Sequence, residues 1–130
     1  MVRKFLGLAV SLSAVLVLCF SSISYATGIR FSSSAISSRA PCQNSSITYS
    51  AKIVNTYGSP VSGAKVTLKV YYKSKTTSYS AGSTNSQGKA SKKFKIGLAT
   101  ARYKVVIKST ATKSGQVAHS SSWFKPKKCG

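Results

Sequence analysis

The sequence contains no aspartate and no glutamate among its 130 residues, while it contains 20 lysines and arginines. In an average soluble domain about a quarter of the residues are charged, and acidic residues make up a large share of them. An acid-free chain of this length is therefore not a chance outcome. The absence indicates that negative charge has been selected against. An excess of basic residues alone would not require the removal of every acid.

The missing carboxylates exclude several kinds of active site. Hydrolysis by paired carboxylates needs two acids, and a Ser-His-acid triad needs one. The single histidine, His119, cannot form a metal site alone, and hard cations prefer several oxygen ligands. A Ser-Lys pair is compatible with the composition, but no motif marks one. We therefore predict that the protein is not an enzyme, has no catalytic residues, and needs neither a metal nor a cofactor.

The N-terminus has the pattern of a cleaved signal peptide. Arg3 and Lys4 form a basic start, residues 5–20 are apolar, and Ser24 and Ala26 place small residues where a signal peptidase reads. We predict cleavage after residue 26 and a protein that is secreted, extracellular or on the cell surface. The remaining chain of about 100 residues can form one domain with a modest core.

Two cysteines, Cys42 and Cys129, remain after that cleavage. An even number of cysteines in an exported chain favours a disulfide. A bridge across most of the domain would add roughly 4–5 kcal/mol by the loop-entropy model. Two free thiols or an intermolecular bond are the alternative.

Alternating apolar and polar residues predict strands along most of the chain. No window has helical periodicity, and Gly, Pro, Ser and Asn separate the short alternating runs. Residues 27–41 are serine-rich and predict either an N-terminal arm or an edge strand. Residues 42–130 then form the domain. The predicted strands lie within residues 47–53, 66–70, 76–80, 90–96, 103–107 and 116–124.

Three stretches resemble bacterial immunoglobulin-like domains of the invasin/intimin type. NTYGSPVSGAKV (residues 55–66) is similar to their GxPVxGAxV turn, TNSQGKA (84–90) to TDxxGxA, and IGLATARYKVVI (96–107) to LxxGxYxV. Transthyretin-like sandwiches share these turns and are an alternative. The short strands and the turns between them predict an all-β sandwich or barrel. The resemblance implies an immunoglobulin-like β-sandwich of about seven short antiparallel strands. Members of the family usually occur as repeats, whereas we expect a single free-standing copy here.

The chain departs from this family pattern at three positions. Asn55 and Asn85 stand where the family usually has Asp, and Ala101 stands where Gly is common. Asparagine keeps the side-chain hydrogen bonding of such turns without the charge. Tyr103 fits a structural tyrosine corner, in which the hydroxyl bonds to nearby backbone.

Most lysines fall on the polar positions of the predicted strands or near the C-terminus. Lysine acts as a point charge, whereas arginine forms bidentate contacts suited to specific recognition. The pattern predicts sequence-independent binding of a polyanion such as nucleic acid, acidic polysaccharide or envelope phosphate. The predicted polyanion-binding residues are Lys52, Lys65, Lys69, Lys93, Lys95, Lys104, Lys108, Lys125, Lys127 and Lys128.

Two other functions fit the same charge. A cationic antibacterial protein would normally carry an amphipathic membrane-active element, and the sequence shows none. A subunit of an extracellular fibre or appendage would need its charge neutralised, so we expect such a fibre to assemble together with a polyanion. A homo-oligomer would need the same neutralisation.

The composition also predicts an unusual response to acid. Acid unfolding normally reflects carboxylates that are ionised and paired in the folded state. Here His119 and the C-terminal carboxylate are the only ionisable groups of types that change charge between about pH 2 and pH 7. Urea unfolding should therefore give nearly the same midpoint throughout that range. A cooperative loss of structure on acidification would contradict this prediction.

Overall fold

The computed structural model describes residues 28–130. The predicted signal peptide, residues 1–26, lies outside them. The described part of the chain folds into seven strands and no helix, arranged in two antiparallel sheets. This confirms the predicted seven-stranded β-sandwich. Within the same residues there is no helix long and apolar enough to cross a membrane.

The seven strands divide into a sheet of three and a sheet of four. The first sheet has the order β1-β2-β5 and the second β4-β3-β6-β7, so consecutive strands repeatedly cross from one sheet to the other. The serine-rich segment forms β1, an edge strand. The strands are β1 (Ile29–Ile36), β2 (Ser46–Asn55), β3 (Lys65–Tyr71), β4 (Thr76–Ser83), β5 (Lys89–Lys95), β6 (Val105–Lys113) and β7 (Gln116–Phe124).

The core lies between the sheets and is built from the apolar half of each alternating strand. In β3, Val66, Leu68 and Val70 are buried while the residues between them point outward. Such alternation is expected when one face of a sheet covers a core and the other meets solvent. Tyr49 is fully buried, and its hydroxyl lies 2.8 Å from that of Ser34 on the neighbouring strand.

Strand β6 begins later and ends later than the sequence pattern predicts. Its first residue is Val105, and Tyr103 lies in the preceding turn with 37% of its surface exposed. The turn contains Arg102 at φ 67°, which prevents a continuous strand through this point. The backbone N–H of Arg102 donates to the carbonyl oxygen of Pro126 at 2.8 Å, so the turn is held against the C-terminal segment.

The predicted disulfide between Cys42 and Cys129 is confirmed, with Cα atoms 5.5 Å apart. Backbone hydrogen bonds hold the same two segments together. The N–H of Lys127 donates to Pro41 and the N–H of Gln43 donates to Lys127, both at 2.9 Å. The C-terminal segment is therefore fastened both covalently and by backbone pairing to the chain that enters β2.

Glycines at two equivalent turn positions meet different surroundings. Gly58 and Gly88 both have positive φ, 85° and 76°. A Cβ on Gly58 would meet nothing within 4 Å, whereas a Cβ on Gly88 would lie 2.4 Å from the carbonyl oxygen of Ile53. Both positions require left-handed backbone, and Gly88 also requires close backbone approach.

These surroundings predict unequal effects of the same substitution. Gly58→Ala should cost about 1–2 kcal/mol, the usual penalty for a left-handed alanine. Gly88→Ala adds a backbone clash and should cost roughly 3 kcal/mol or more. Urea unfolding of the two variants measures both costs. Equal destabilisation of the two variants would contradict the close contact between Gly88 and the Ile53 carbonyl.

Candidate functional site

The outer surface of the four-stranded sheet is basic at its centre, and we call this surface the broad face. Its lysines are Lys65 and Lys69 on β3 and Lys108 on β6, all exposed and pointing away from the core. Lys69 and Lys108 are direct partners across the two strands. The broad face thus combines three of the predicted binding residues from distant parts of the chain.

The outer surface of the three-stranded sheet, here the narrow face, is also basic. Lys89, Lys93 and Lys95 occupy its outward positions on β5, and Lys52 lies on β2. Lys52 and Lys89 are direct cross-strand partners. Lys89 is absent from the set predicted from sequence, although it begins the same alternating run as Lys93 and Lys95.

Both faces therefore place like charges opposite one another. Directly opposed like charges destabilise a sheet, and an acidic neighbour normally relieves them. This chain has no acidic side chain to do so. An external anion placed between the ammonium groups of either pair would remove this repulsion.

Aromatic rings lie among the cations at one end of the broad face. The guanidinium carbon of Arg39 is 4.5 Å from the ring centroid of Trp123, and Nζ of Lys104 is 5.2 Å from it. Nζ of Lys108 lies 5.6 Å from the centroid of Tyr71. Cations at such distances are attracted by the ring quadrupole. These contacts place Lys104 beside the broad face and add Arg39, for which the sequence offers no signal.

A shallow open groove of about 630 Å³ runs along the broad face. Lys69 and Lys108 line it together with Tyr71, Thr110 and His119. Thr110 Oγ1 and His119 Nδ1 are 3.4 Å apart. The groove offers ammonium groups, hydroxyls and one imidazole, a set suited to holding anionic groups.

Other tyrosines serve the structure instead. The ring of Tyr79 stacks on Phe94 with centroids 4.6 Å apart. Burial, with smaller contributions from the charge and hydroxyl of Tyr79, raises the pKa of Tyr72 to about 12. The raised pKa reflects the partial burial of the Tyr72 hydroxyl, which is consistent with a packing role.

The remaining predicted residues lie off both faces. Lys125, Lys127 and Lys128 are exposed on the C-terminal segment beyond β7. The segment runs beside residues 39–43, since the N–H of Lys125 donates to the carbonyl of Arg39 at 2.7 Å. The tyrosine-corner role of Tyr103 stays a prediction. Residues 28–130 contain no group of three or more potential metal ligands among His, Cys, Asp and Glu.

No protein-family model and no curated protein matches the chain. Among solved structures, the chain is similar to the crystal structure of Spo0M, a sporulation control protein from Bacillus subtilis, with a TM-score of 0.55 and 10% sequence identity. The match covers 78% of this chain and 50% of Spo0M, so the chain spans about half of that protein's length. At this identity the similarity concerns the fold alone.

Two turns of the same construction show how the fold avoids acids. Oδ1 of Asn55 accepts backbone N–H bonds from the residues two and four positions further on, at 2.8 and 3.0 Å. Oδ1 of Asn85 does the same at 2.9 and 3.0 Å. Aspartate could accept the same bonds, because only the side-chain oxygen is used. The choice of asparagine therefore removes charge without changing the turn.

The double variant Asn55→Asp, Asn85→Asp should fold with unchanged or higher stability. The carboxylates keep all four hydrogen bonds, make them charge-assisted and reduce self-repulsion. We expect a gain of up to about 1 kcal/mol in urea unfolding at low salt, shrinking at high salt.

The matched control is Asn55→Ala, Asn85→Ala, which removes the acceptors and should cost roughly 1–3 kcal/mol. If the aspartate variant loses as much stability as the alanine variant, the turns themselves require asparagine. The interpretation that asparagine serves to avoid negative charge would then be wrong.

Proposed function

We propose that the protein is a secreted, non-enzymatic polycation that binds anionic polymers by sequence-independent electrostatics, in a structural role at the cell surface or in the extracellular matrix. Extracellular DNA, acidic polysaccharide and envelope phosphates share the chemistry required, a long array of repeated anions. The observation that carries the proposal is that both sheet faces display lysines in register while the whole chain has no acidic side chain.

The lysine pairs supply the mechanism. Lys69 with Lys108, and Lys52 with Lys89, hold two positive charges at neighbouring positions of rigid strands. A polyanion that reaches either pair gains their attraction and releases its own condensed counterions. Because ammonium groups are point charges without a fixed donor geometry, the contact follows charge density and not base or sugar sequence.

We also propose that the sandwich belongs with the immunoglobulin-like domains, as the three resembling stretches suggest. In constant-type immunoglobulin domains the fourth strand pairs with the fifth in the first sheet. Here β4 pairs with β3 in the other sheet, a variant of that arrangement. The two matched turns at Asn55 and Asn85 lie within the resembling stretches and support this assignment.

Salt elution from heparin and from DNA resins tests the function. We expect the folded protein, residues 27–130, to elute from both above physiological salt, with no preference among DNA sequences. For duplex DNA, the plot of log K against the logarithm of salt concentration has a slope of about −0.9 per phosphate contact. The double variant Lys69→Gln, Lys108→Gln should therefore make this slope shallower by up to about 1.8.

The matched control is Lys73→Gln, Lys75→Gln, which removes the same charge from the turn between β3 and β4 and should have a smaller effect. Elution of the unmodified protein below physiological salt from both resins would refute the proposed function.

A further inference from the structure

We infer that the protein bridges two polyanion chains, with the broad face binding one and the narrow face binding the other. This inference rests on the proposed function, and it adds that the charge is divided between two independent sites. A single binding surface would coat a polymer, whereas two opposed surfaces join polymers into a network.

The two faces point in opposite directions. Lys69 lies between the buried residues Leu68 and Val70, and Lys93 precedes the buried Phe94. Packed sheets are about 10 Å apart, and the lysine side chains extend the separation outward on both sides. The charges of the two faces are thus separated by more than the Debye length of about 8 Å at physiological salt. Each face therefore attracts its own ligand.

Lysine-free strands separate the two faces. The edge strands of the four-stranded sheet, β4 and β7, contain no lysine or arginine, and β1 at the edge of the other sheet contains no lysine and one arginine, Arg30. Where β1 approaches β7, neutral side chains meet, among them Ser34 and Ser122, whose Oγ atoms are 3.4 Å apart. These three strands carry one cation between them, so most of the positive charge of the sheets lies in two patches, one on each face.

One stiff polymer cannot reach both patches. A domain of this size has a radius of gyration of about 13 Å, whereas the persistence length of duplex DNA is about 150 bp. To contact both faces, a single duplex would have to bend with a radius of curvature far smaller than its persistence length. Occupation of both faces by duplex DNA therefore requires two duplexes.

Energy transfer between two separately labelled duplexes of about 30 bp, well below the persistence length, tests the inference. Three matched variants each remove three positive charges. The broad-face variant is Lys65→Gln, Lys69→Gln, Lys108→Gln. The narrow-face variant is Lys89→Gln, Lys93→Gln, Lys95→Gln. The control variant is Lys73→Gln, Lys75→Gln, Arg102→Gln, whose positions are exposed and lie outside the strands of both faces.

We expect the unmodified protein and the control variant to bring the two duplexes together. Each face variant should still bind one duplex, measured by anisotropy, but should lose most of the energy transfer. Circular dichroism checks that each variant folds. A second set with arginine at the same positions keeps the charge and should restore transfer.

Two results would overturn bridging while leaving the proposed function intact. One is binding without transfer by the unmodified protein. The other is an equal loss of transfer in all three glutamine variants, which would show that total charge alone acts. Failure of the unmodified protein to bind any duplex or heparin would instead refute the proposed function. Repeating the assay with labelled heparin distinguishes a nucleic-acid partner from an acidic polysaccharide.

Discussion

Uncompensated positive charge is the constraint on which the rest of this structure depends. No side-chain ion pair can form, because the chain has 20 basic residues and no acidic one. Two unit charges 4 Å apart repel by about 1 kcal/mol even in bulk water, and two lysine pairs lie in register across strands. Stability must therefore come from the apolar core, the strand ladders and the Cys42–Cys129 bridge.

The fold limits this repulsion in two ways. Neutral asparagines, Asn55 and Asn85, accept the hydrogen bonds of two turns that aspartate could also accept. Aromatic rings then serve as weakly negative partners for cations, as Trp123 does for Arg39 and Lys104. A ring attracts a cation without carrying a net charge. Both devices leave the net positive charge intact, which is what binding of an external polyanion requires.

Much of this arrangement could be predicted from the sequence, because period-two alternation assigns each strand residue to the core or to solvent. The outward direction of Lys65, Lys69, Lys93 and Lys95 follows from that rule, and the disulfide follows from the cysteine count. Features that depend on long-range packing could not be predicted. The contact between Arg39 and Trp123 joins residues far apart in sequence. Tyr103 lies outside strand β6 because Arg102 has a positive φ, which the alternating pattern does not reveal.

The most direct test of the account is thermal unfolding at low ionic strength while heparin or duplex DNA is titrated in, compared with sodium chloride at equal ionic strength. A polyanion that binds only the folded state raises its stability in proportion to RT ln(1 + [L]/Kd). If an external polyanion supplies the missing negative charge, Tm should rise at charge-equivalent polyanion concentrations, well beyond the rise produced by simple salt. An unchanged Tm, or one that follows ionic strength alone, would contradict the claim that an external polyanion supplies the missing negative charge.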